Sequence, residues 1–302
     1  MALWVECVAS AYDATVCDQK SYTSSSDNLT FNPNAWNPDD QGGFQCLSVQ
    51  DSPPAFDATW AWFSSPQSVH SYPHVKLTSP DLPAPLSNIS ALQLTAEWSM
   101  GPGSAALPAL HVDSVGLADL GVTANVAFDI FADRNAARAQ NETTAETEIM
   151  VWLGKFGPAQ PLGAGSEKRT CFSQTAGDTS FTLYQGRNAR GTDVFTWVAA
   201  TNQTSFAADI SPLLQYLWRN GLVSAAAHVG LVSFGSEAYH ARDNVTFSAT
   251  DFAMNLVPGA APTLAVGQLP TACSRAVSVH FQGSWSFTSI IGIVGVVFFN
   301  VL

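Results

Sequence analysis

The chain has 302 residues, a formal net charge of −12 and a sequence pI near 4.6. This acidic balance argues against a nucleic-acid-binding function, because such proteins normally carry a basic surface that neutralises phosphates. Charged residues make up 12% of the chain, about half of the roughly 25% that is usual in globular proteins. A low charge with many Ser, Thr, Asn and Gly residues is typical of a β-rich extracellular protein. A neutral polymer is a more suitable binding partner for such a surface than a nucleic acid.

The N-terminal segment 1–16 is predicted to be a leader or an extension. Glu6 interrupts its short apolar stretch and no basic region precedes it, so it matches a secretory signal peptide poorly. Sequons of the form N-x-[ST] nevertheless indicate a secreted glycoprotein with exposed loops. They occur at Asn28, Asn88, Asn141, Asn202 and Asn244.

The five cysteines show no spacing typical of a zinc site, so no metal is expected. Cys17 and Cys46 flank an Asn- and Ser-rich segment and are predicted to form a disulfide. Cys171 and Cys273 are a candidate second pair, which leaves Cys7 over. The alternative for each of these residues is a buried free thiol.

From residue 17 to 257, short β-branched and aromatic runs alternate with Gly-, Pro-, Asn- and Ser-rich breaks. This pattern predicts an all-β domain, either an antiparallel sandwich or a barrel. Trp36 lies in an early Asn- and Pro-rich loop, whereas Trp60 and Trp62 share one face of a strand. Indole rings stack on the apolar faces of sugars, so exposed tryptophans near carboxylates indicate a saccharide groove. The alternative for each tryptophan alone is a core position.

Two later strands place acidic residues opposite an apolar face, because side chains alternate between the faces of a strand. In the strand 125–131, the apolar even-numbered residues face the core, and Asn125 and Asp129 share the other face. In the strand 146–153, Glu148 lies on the same face as Met150 and Trp152. A face that only met solvent would rarely carry Met and Trp, so this face is a candidate site.

One segment, Asp209–Asn220, is predicted to be a helix packed on a sheet, with Gly221 as its stop signal. The strand that follows, 229–234, leads into Glu237, which lies beside a glycine and Tyr239. A single glutamate on a strand is most often simply solvated. Two glutamates that both lie among aromatic residues favour a functional site.

The C-terminal region follows a predicted domain end near Val257. Residues 258–286 are predicted to be a linker and spacer, and 287–302 an uncharged apolar tail. The tail is shorter than the roughly 20 residues of a membrane-spanning helix. Small residues at Ala272–Ser274, a polar spacer and an apolar end have the layout of a lipid-anchor signal, which would attach the protein to a membrane. The alternatives are a tail anchor and a mistranslated final exon.

Several motifs together carry a family resemblance. They are Cys17-Asp-Gln, Asn34-Ala-Trp36, Gln45-Cys46, Trp60-Ala-Trp62, Ser68-Val-His-Ser-Tyr72-Pro73, Val126-Ala-Phe-Asp129-Ile-Phe131, Glu148-Ile-Met-Val-Trp-Leu153 with Gly154-Lys-Phe-Gly157, and Phe234-Gly-Ser-Glu237. With these motifs the chain resembles glycoside hydrolase family 12, the small endoglucanases and xyloglucanases, from about Cys17 to Leu256. The strand around Glu148 and the Phe-Gly-Ser-Glu turn are the most specific of them.

The resemblance implies a β-jelly-roll sandwich of two antiparallel sheets with one short helix, a catalytic domain at 17–257, and no cofactor. Carried over by position, it makes Glu148 the nucleophile and Glu237 the general acid/base. Asp129 becomes a neighbouring carboxylate that tunes the pKa of Glu148. The implied mechanism is hydrolysis with retention, for which the two glutamate carboxyls lie about 5 to 5.5 Å apart.

The resemblance also implies a cleft in which Trp36 is a sugar-stacking platform and Asn34, Trp62 and Met150 line the wall. It implies the same Cys17–Cys46 disulfide. The sequence departs from the family pattern at two places. The connection 101–122 is longer than usual in the family, and the strand 181–184 lacks the tryptophan that the family often has there.

The implied function is a secreted, monomeric, retaining endo-β-1,4-glucanase that cuts internal bonds of cellulose-like and mixed-linkage glucans. One alternative is a xyloglucan-specific relative, because the two would share every catalytic residue. An alternative of another class is a jelly-roll carbohydrate-binding or host-interaction protein without turnover.

Overall fold

The computed structural model describes residues 12–17, 19–25, 28–36, 42–104, 111–165 and 172–262, and the backbone of 271–272. Several predictions lie outside the described residues. They concern Cys7, Cys171, Cys273, most of the N-terminal segment and the apolar tail.

In the described part of the chain, two sheets form a sandwich. The six-stranded sheet has the order β1 (Ala14–Val16), β4 (Gly43–Asp51), β5 (Pro54–Trp62), β17 (Val245–Pro258), β8 (Ile89–Pro102) and β14 (Ser205–Asp209). The twelve-stranded sheet has the order β18 (Thr271–Ala272), β11 (Phe172–Ala176), β12 (Thr179–Arg187), β13 (Asp193–Ala199), β10 (Thr147–Phe156), β9 (Thr123–Asp133), β15 (His228–Gly235), β6 (His74–Leu77), β3 (Leu29–Asn32) and β2 (Tyr22–Thr23). Two short strands complete it, with β7 (Ala84–Pro85) beside β15 and β16 (Ala238–His240) beside β9.

The helices are α1 (Ser114–Asp119), α2 (Ala136–Ala139) and α3 (Ser211–Arg219), with a 3₁₀ turn at Leu86–Asn88. The predicted helix 209–220 is therefore α3, which begins with Pro212 in its first turn and buries its leucines. The other two are short and were not predicted as helices. Helix α1 lies in the long connection 101–122, where the Asp113 carboxylate accepts a hydrogen bond from the Gly116 N–H at 2.9 Å.

The core lies between the two sheets and is rich in aromatic rings. Phe56 contacts Phe247 and Phe252 edge-to-face, each at 5.7 Å between ring centroids. Phe128 packs against Phe234 at 4.6 Å. These side chains come from both sheets and bury large apolar areas, so they stabilise the sandwich.

Strand β10 shows how the alternation of side chains creates a site. Ile149, Val151 and Leu153 belong to the core between the sheets, as predicted. Met150 and Trp152 belong to a separate small cluster on the other face. Their strand is also the exception to an antiparallel arrangement, because β10 pairs in parallel with β13, with Thr147 level with Asp193.

Hydrogen bonds to the sandwich continue beyond both predicted domain boundaries. Residues 14–16, predicted to belong to a leader or an extension, form β1 and pair with β4. After residue 257, the Gly259 N–H donates to the Asn88 carbonyl at 3.0 Å and the Ala261 N–H to the Ser87 carbonyl at 3.2 Å. Further on, β18 pairs with β11. The chain therefore remains hydrogen-bonded to the sandwich at positions predicted as extension and spacer.

Candidate active site

A cavity of about 580 Å³ opens on the face of the twelve-stranded sheet that points away from the core. Strands β9, β10 and β13 form its floor, and its walls include the loops between β3 and β4, between β5 and β6, and after β15. The floor and walls include Asp129, Met150, Trp152, Val194, Thr196 and Glu237. The two strand faces that the sequence singles out are thus brought together in one place.

Glu148 lies at the edge of this cavity, near the start of β10. Its neighbours across the sheet are Phe131 on β9 and Val194 on β13, and both line the cavity. Its half-buried carboxylate accepts a hydrogen bond from the Asn188 side-chain amide at 3.4 Å. The turn that precedes the parallel neighbour β13 therefore supplies a polar contact to this glutamate.

Glu237 lies on the opposite side of the cavity, between β15 and β16, and Asn125 holds it in place. The Asn125 N–H donates to the Glu237 carbonyl at 3.1 Å, and the Glu237 N–H donates to the Asn125 side-chain oxygen at 3.0 Å. The Asn125 amide also donates to Glu237 Oε2, which accepts a further hydrogen bond from the Tyr239 hydroxyl at 3.2 Å. These contacts fix both the backbone and the carboxylate of Glu237.

Asp129 lies between the two glutamate-bearing elements. On β9 it is paired with Met150 of β10 on one side and with Ser233 of β15 on the other. Its side chain is almost fully buried and lines the cavity. Its Oδ1 atom has no hydrogen-bond partner among the residues described. A buried carboxyl oxygen without a partner is costly, and in a cavity it is available to a neighbouring carboxyl or to a ligand.

Burial raises the pKa of all three carboxyls, and the charge of Glu148 raises those of Asp129 and Glu237 further. Burial is the largest cause for Asp129, followed by the charges of Glu148 and Glu237, and together they raise its pKa well above the usual range. Burial raises the pKa of Glu148 to about 7, opposed by the Arg190 cation and the Asn188 amide. Burial, followed by the charge of Glu148, raises the pKa of Glu237 to about 7. Such shifts are typical of catalytic acids and bases.

The neighbours of the three carboxyls differ. Glu148 alone among the three has a cationic neighbour that lowers its pKa. An ionised Glu148 in turn favours the protonated forms of Asp129 and Glu237.

The Tyr239 hydroxyl provides a first test of this electrostatic arrangement. It stabilises the charged form of Glu237 and lowers its pKa, so Tyr239→Phe is expected to raise that pKa. The alkaline limb of a pH–kcat/KM profile should move upward by about half a pH unit or more, the size expected for a hydrogen bond to a charged group. Tyr22→Phe is the matched control, because it removes a hydrogen bond to Asp51 far from the cavity. An unchanged alkaline limb in Tyr239→Phe would contradict the arrangement.

Trp36 and Asn34 lie at one end of the cavity and line it. Trp36 is 41% exposed, as a stacking platform must be. Its loop is fixed by the Trp36 N–H, which donates to the His70 carbonyl at 3.1 Å, and by the buried Gln45 amide, which donates to the Pro33 carbonyl. Met150 lies on the floor, where its sulfur accepts a hydrogen bond from the Trp152 indole at 3.4 Å.

The structure corrects the prediction for Trp62. Its side chain is fully buried in the core between the sheets, and so is that of Trp60. The Trp62 indole N–H donates to the Ser71 hydroxyl at 3.1 Å. Trp60 and Trp62 share one face of β5, as predicted, but this face points into the core of the sandwich and not into the cavity.

The predicted Cys17–Cys46 disulfide is present and joins the end of β1 to β4. Within the part of the chain that the structure describes, no group of three or more His, Cys, Asp or Glu side chains has an arrangement suited to a metal ion.

Comparison with known proteins decides the family. Residues 27–256 match the family model described as Glycosyl hydrolase family 12. The chain belongs to glycosyl hydrolase family 12. Enzymes of this family are retaining endoglucanases, so the predicted family, jelly-roll fold and enzyme class are confirmed.

Similar proteins are known from fungi. A probable xyloglucan-specific endo-beta-1,4-glucanase A of Aspergillus clavatus is 30% identical over 257 residues, which cover 82% of this chain and 95% of that protein. Endoglucanase A of Aspergillus kawachii is 25% identical, covering 76% of this chain and 88% of that protein. The crystal structure of Trichoderma harzianum endoglucanase 3 is similar with a TM-score of 0.65 and 26% identity, covering 81% of this chain and 97% of that one.

Three site residues were not predicted from the sequence. Asn125 was noted only as sharing a face with Asp129, and the same parity could have marked it as a cavity residue. Asn188 and Arg190 gave no signal, because they lie in a turn that is distant in sequence from Glu148.

Proposed function

We propose that Glu148 is the nucleophile and Glu237 the general acid/base of this family 12 enzyme. The observation that carries the proposal is the pair of half-buried glutamates at one cavity, with Asp129 buried beside them. The contacts of each glutamate suit different roles. Glu148 has a cation and an amide that stabilise its ionised form, whereas Glu237 faces that negative charge and keeps its proton.

The reaction then proceeds in two displacements. The Glu148 carboxylate attacks the anomeric carbon and the glycosidic C–O bond breaks, while Glu237 gives its proton to the leaving oxygen. In the second step the Glu237 carboxylate takes a proton from water, whose oxygen attacks the same carbon and displaces Glu148. Burial and the charge of Glu148 keep Asp129 protonated, so it adds no second negative charge beside the nucleophile.

We propose β-1,4-linked glucans, both cellulose-like and mixed-linkage, as substrates. Trp36 and Asn34 would bind a glucosyl residue of the chain at one end of the cavity, and Met150 and Trp152 form an apolar floor below the sugar ring. Xyloglucan is the second candidate, because several similar proteins are named xyloglucan-specific endo-beta-1,4-glucanases. Both candidates use the same three carboxyls.

The experiment compares barley β-glucan, carboxymethylcellulose and xyloglucan as substrates of the purified protein. We expect reducing ends to appear and viscosity to fall early, as for cuts within the chain. Proton NMR of fresh cellooligosaccharide products should show the β-anomer first, because two displacements retain configuration. A protein that binds these glucans and releases no reducing ends from any of them would instead be a non-catalytic carbohydrate-binding protein.

We also propose that the protein is secreted and acts outside the cell. In support, it has a disulfide, which persists in oxidising compartments. Four of the five sequon asparagines are exposed, namely Asn28, Asn88, Asn141 and Asn202. None of the helices that the structure describes is long and apolar enough to cross a membrane. A lipid anchor through the tail 287–302 and a monomeric state stay predictions.

A further inference from the structure

The turn between β12 and β13, residues 188–192, brings an amide and a cation to the Glu148 side of the cavity. Asn188 and Arg190 both line the cavity. Because β13 runs parallel to β10 with Asp193 level with Thr147, the turn that precedes β13 lies beside the start of β10. Glu148 is the residue after Thr147 on β10, and its Oε2 accepts the hydrogen bond from Asn188.

The turn itself fixes the orientation of the Asn188 side chain. Its amide oxygen accepts hydrogen bonds from the backbone N–H of Arg190 at 3.0 Å and of Thr192 at 3.1 Å. The oxygen is therefore engaged within the turn, which leaves the NH₂ group to point towards Glu148. Gly191 adopts a φ of +88°, a conformation that favours glycine, so the sequence of the turn is suited to this geometry.

Arg190 differs from its neighbour in the same hairpin. The Arg187 guanidinium forms an ion pair with Asp193 at 2.7 Å. Arg190 has no carboxylate within 4 Å among the described residues, and its guanidinium donates only to the Glu142 carbonyl, at 3.5 Å. A cation that lines an acidic cavity without a fixed ion pair is available to the carboxylates around it.

We propose that Asn188 and Arg190 are positioning residues for the nucleophile, with Asn188 orienting the Glu148 carboxylate and Arg190 stabilising its charge. The inference rests on the proposed role of Glu148. The other ionisable groups that face this site are Asp129, Glu142, Glu237, Tyr72 and Tyr239. These carboxyls and phenols carry no positive charge. Among the described residues that face the site, Arg190 is therefore the cation that offsets their repulsion of the Glu148 carboxylate. In agreement, Arg190 is the largest influence that lowers the pKa of Glu148.

The first test replaces Arg190 by Gln, which keeps a polar side chain of moderate length. Loss of the cation raises the pKa of Glu148, so a higher pH is needed to ionise the nucleophile. The acidic limb of the pH–kcat/KM profile on β-glucan should move upward by about half a pH unit or more, as for one partly solvated charge pair. Arg190→Lys should return the limb to its wild-type position. Arg187→Gln is the matched control, because it removes the same charge from the same hairpin without facing the cavity.

The second test is Asn188→Asp. A carboxylate can still accept the two backbone hydrogen bonds of the turn, so the hairpin keeps its structure, but the donor to Glu148 is lost and a negative charge is added. We expect kcat to fall by about 10-fold or more and the acidic limb to move further upward than in Arg190→Gln. Circular dichroism and thermal melting check that each variant folds like the wild type.

The outcomes separate this inference from the proposed function. An acidic limb that stays in place in both Arg190→Gln and Asn188→Asp would overturn the inference, and so would an equal shift in Arg187→Gln. In either case an inactive Glu148 variant would leave the nucleophile assignment intact. Activity that survives replacement of Glu148 would overturn the proposed function itself, whatever the limb does.

Discussion

Replacing Glu148 with alanine is expected to lower kcat/KM on β-glucan on the order of 10⁵-fold, while the protein still folds. The carboxylate forms the covalent bond of the first step, so its loss removes the reaction path and not merely a contribution to binding. Folding should survive because the side chain is half-buried and lies at the cavity, not in the core. The measurement is reducing-end release together with a thermal melt.

Glu146 offers a matched control for this variant. It lies on the same side of the chain two positions earlier, but its carboxylate contacts Arg134 at 3.4 Å at the protein surface. Glu146→Ala should keep activity within about 3-fold of the wild type, since exposed ion pairs contribute little. If Glu148→Ala retained activity similar to that of Glu146→Ala, Glu148 would not be the nucleophile.

Chemical rescue distinguishes a missing nucleophile from a damaged site. With Glu148→Ala and an aryl β-cellobioside that has a good leaving group, azide can enter the space vacated by the carboxylate. It should attack the anomeric carbon from that side and give an α-glycosyl azide, with rates that rise with azide concentration. A site that had lost its geometry would not respond to azide. Rescue that gave the β-azide would mean two displacements, with the nucleophile still present and Glu148 on the side of the acid/base.

The alternation of residues in β10 and β9 made part of the site predictable. Side chains of a strand alternate strictly, so Glu148 had to share a face with Met150, and Asp129 with Asn125. The structure places all four at or beside the cavity. The strand pattern and the family resemblance together were therefore sufficient to predict that Glu148 and Asp129 lie at one site.

The burial of Trp62 could not be predicted from the alternation of side chains alone. Parity groups Trp60 with Trp62, but it does not say whether their common face meets the other sheet or the solvent. Both indoles are fully buried, because β5 lies in the six-stranded sheet, whose inner face is the core. Only the assignment of β5 to a sheet settles the question, and that assignment depends on long-range pairing.

The site contacts that could not be predicted join parts of the chain that are far apart in sequence. Asn125 and Glu237 are 112 positions apart, and Asn188 reaches Glu148 across 40 positions through a parallel pairing. No periodicity in either segment encodes these approaches. The same holds for Arg190, whose proximity to an acidic cavity depends on the register of β13 against β10. The electrostatics of the site are therefore a property of the fold rather than of any motif.

Glu237→Gln is expected to separate proton transfer from bond breaking. Glutamine has the same shape and can still accept a hydrogen bond from Tyr239 or Asn125, so the cavity should keep its form. On β-glucan, whose leaving group is a sugar hydroxyl that needs a proton, kcat/KM should fall by about 10³-fold or more. The alkaline limb near pH 7 should also disappear, because the group whose ionisation produces it is gone.

A dinitrophenyl β-cellobioside provides the decisive comparison, because its phenolate leaves without protonation. With this substrate, the first displacement in Glu237→Gln should proceed at close to the wild-type rate and release a burst of phenolate. Hydrolysis of the glycosyl-enzyme should then be slow, since no base activates water. Azide should accelerate this second step and yield the β-glycosyl azide, the opposite anomer to the one expected from Glu148→Ala. Glu97→Gln, an exposed change on the six-stranded sheet, is the control. Equal losses on both substrates in Glu237→Gln would show that Glu237 supports the site without transferring the proton.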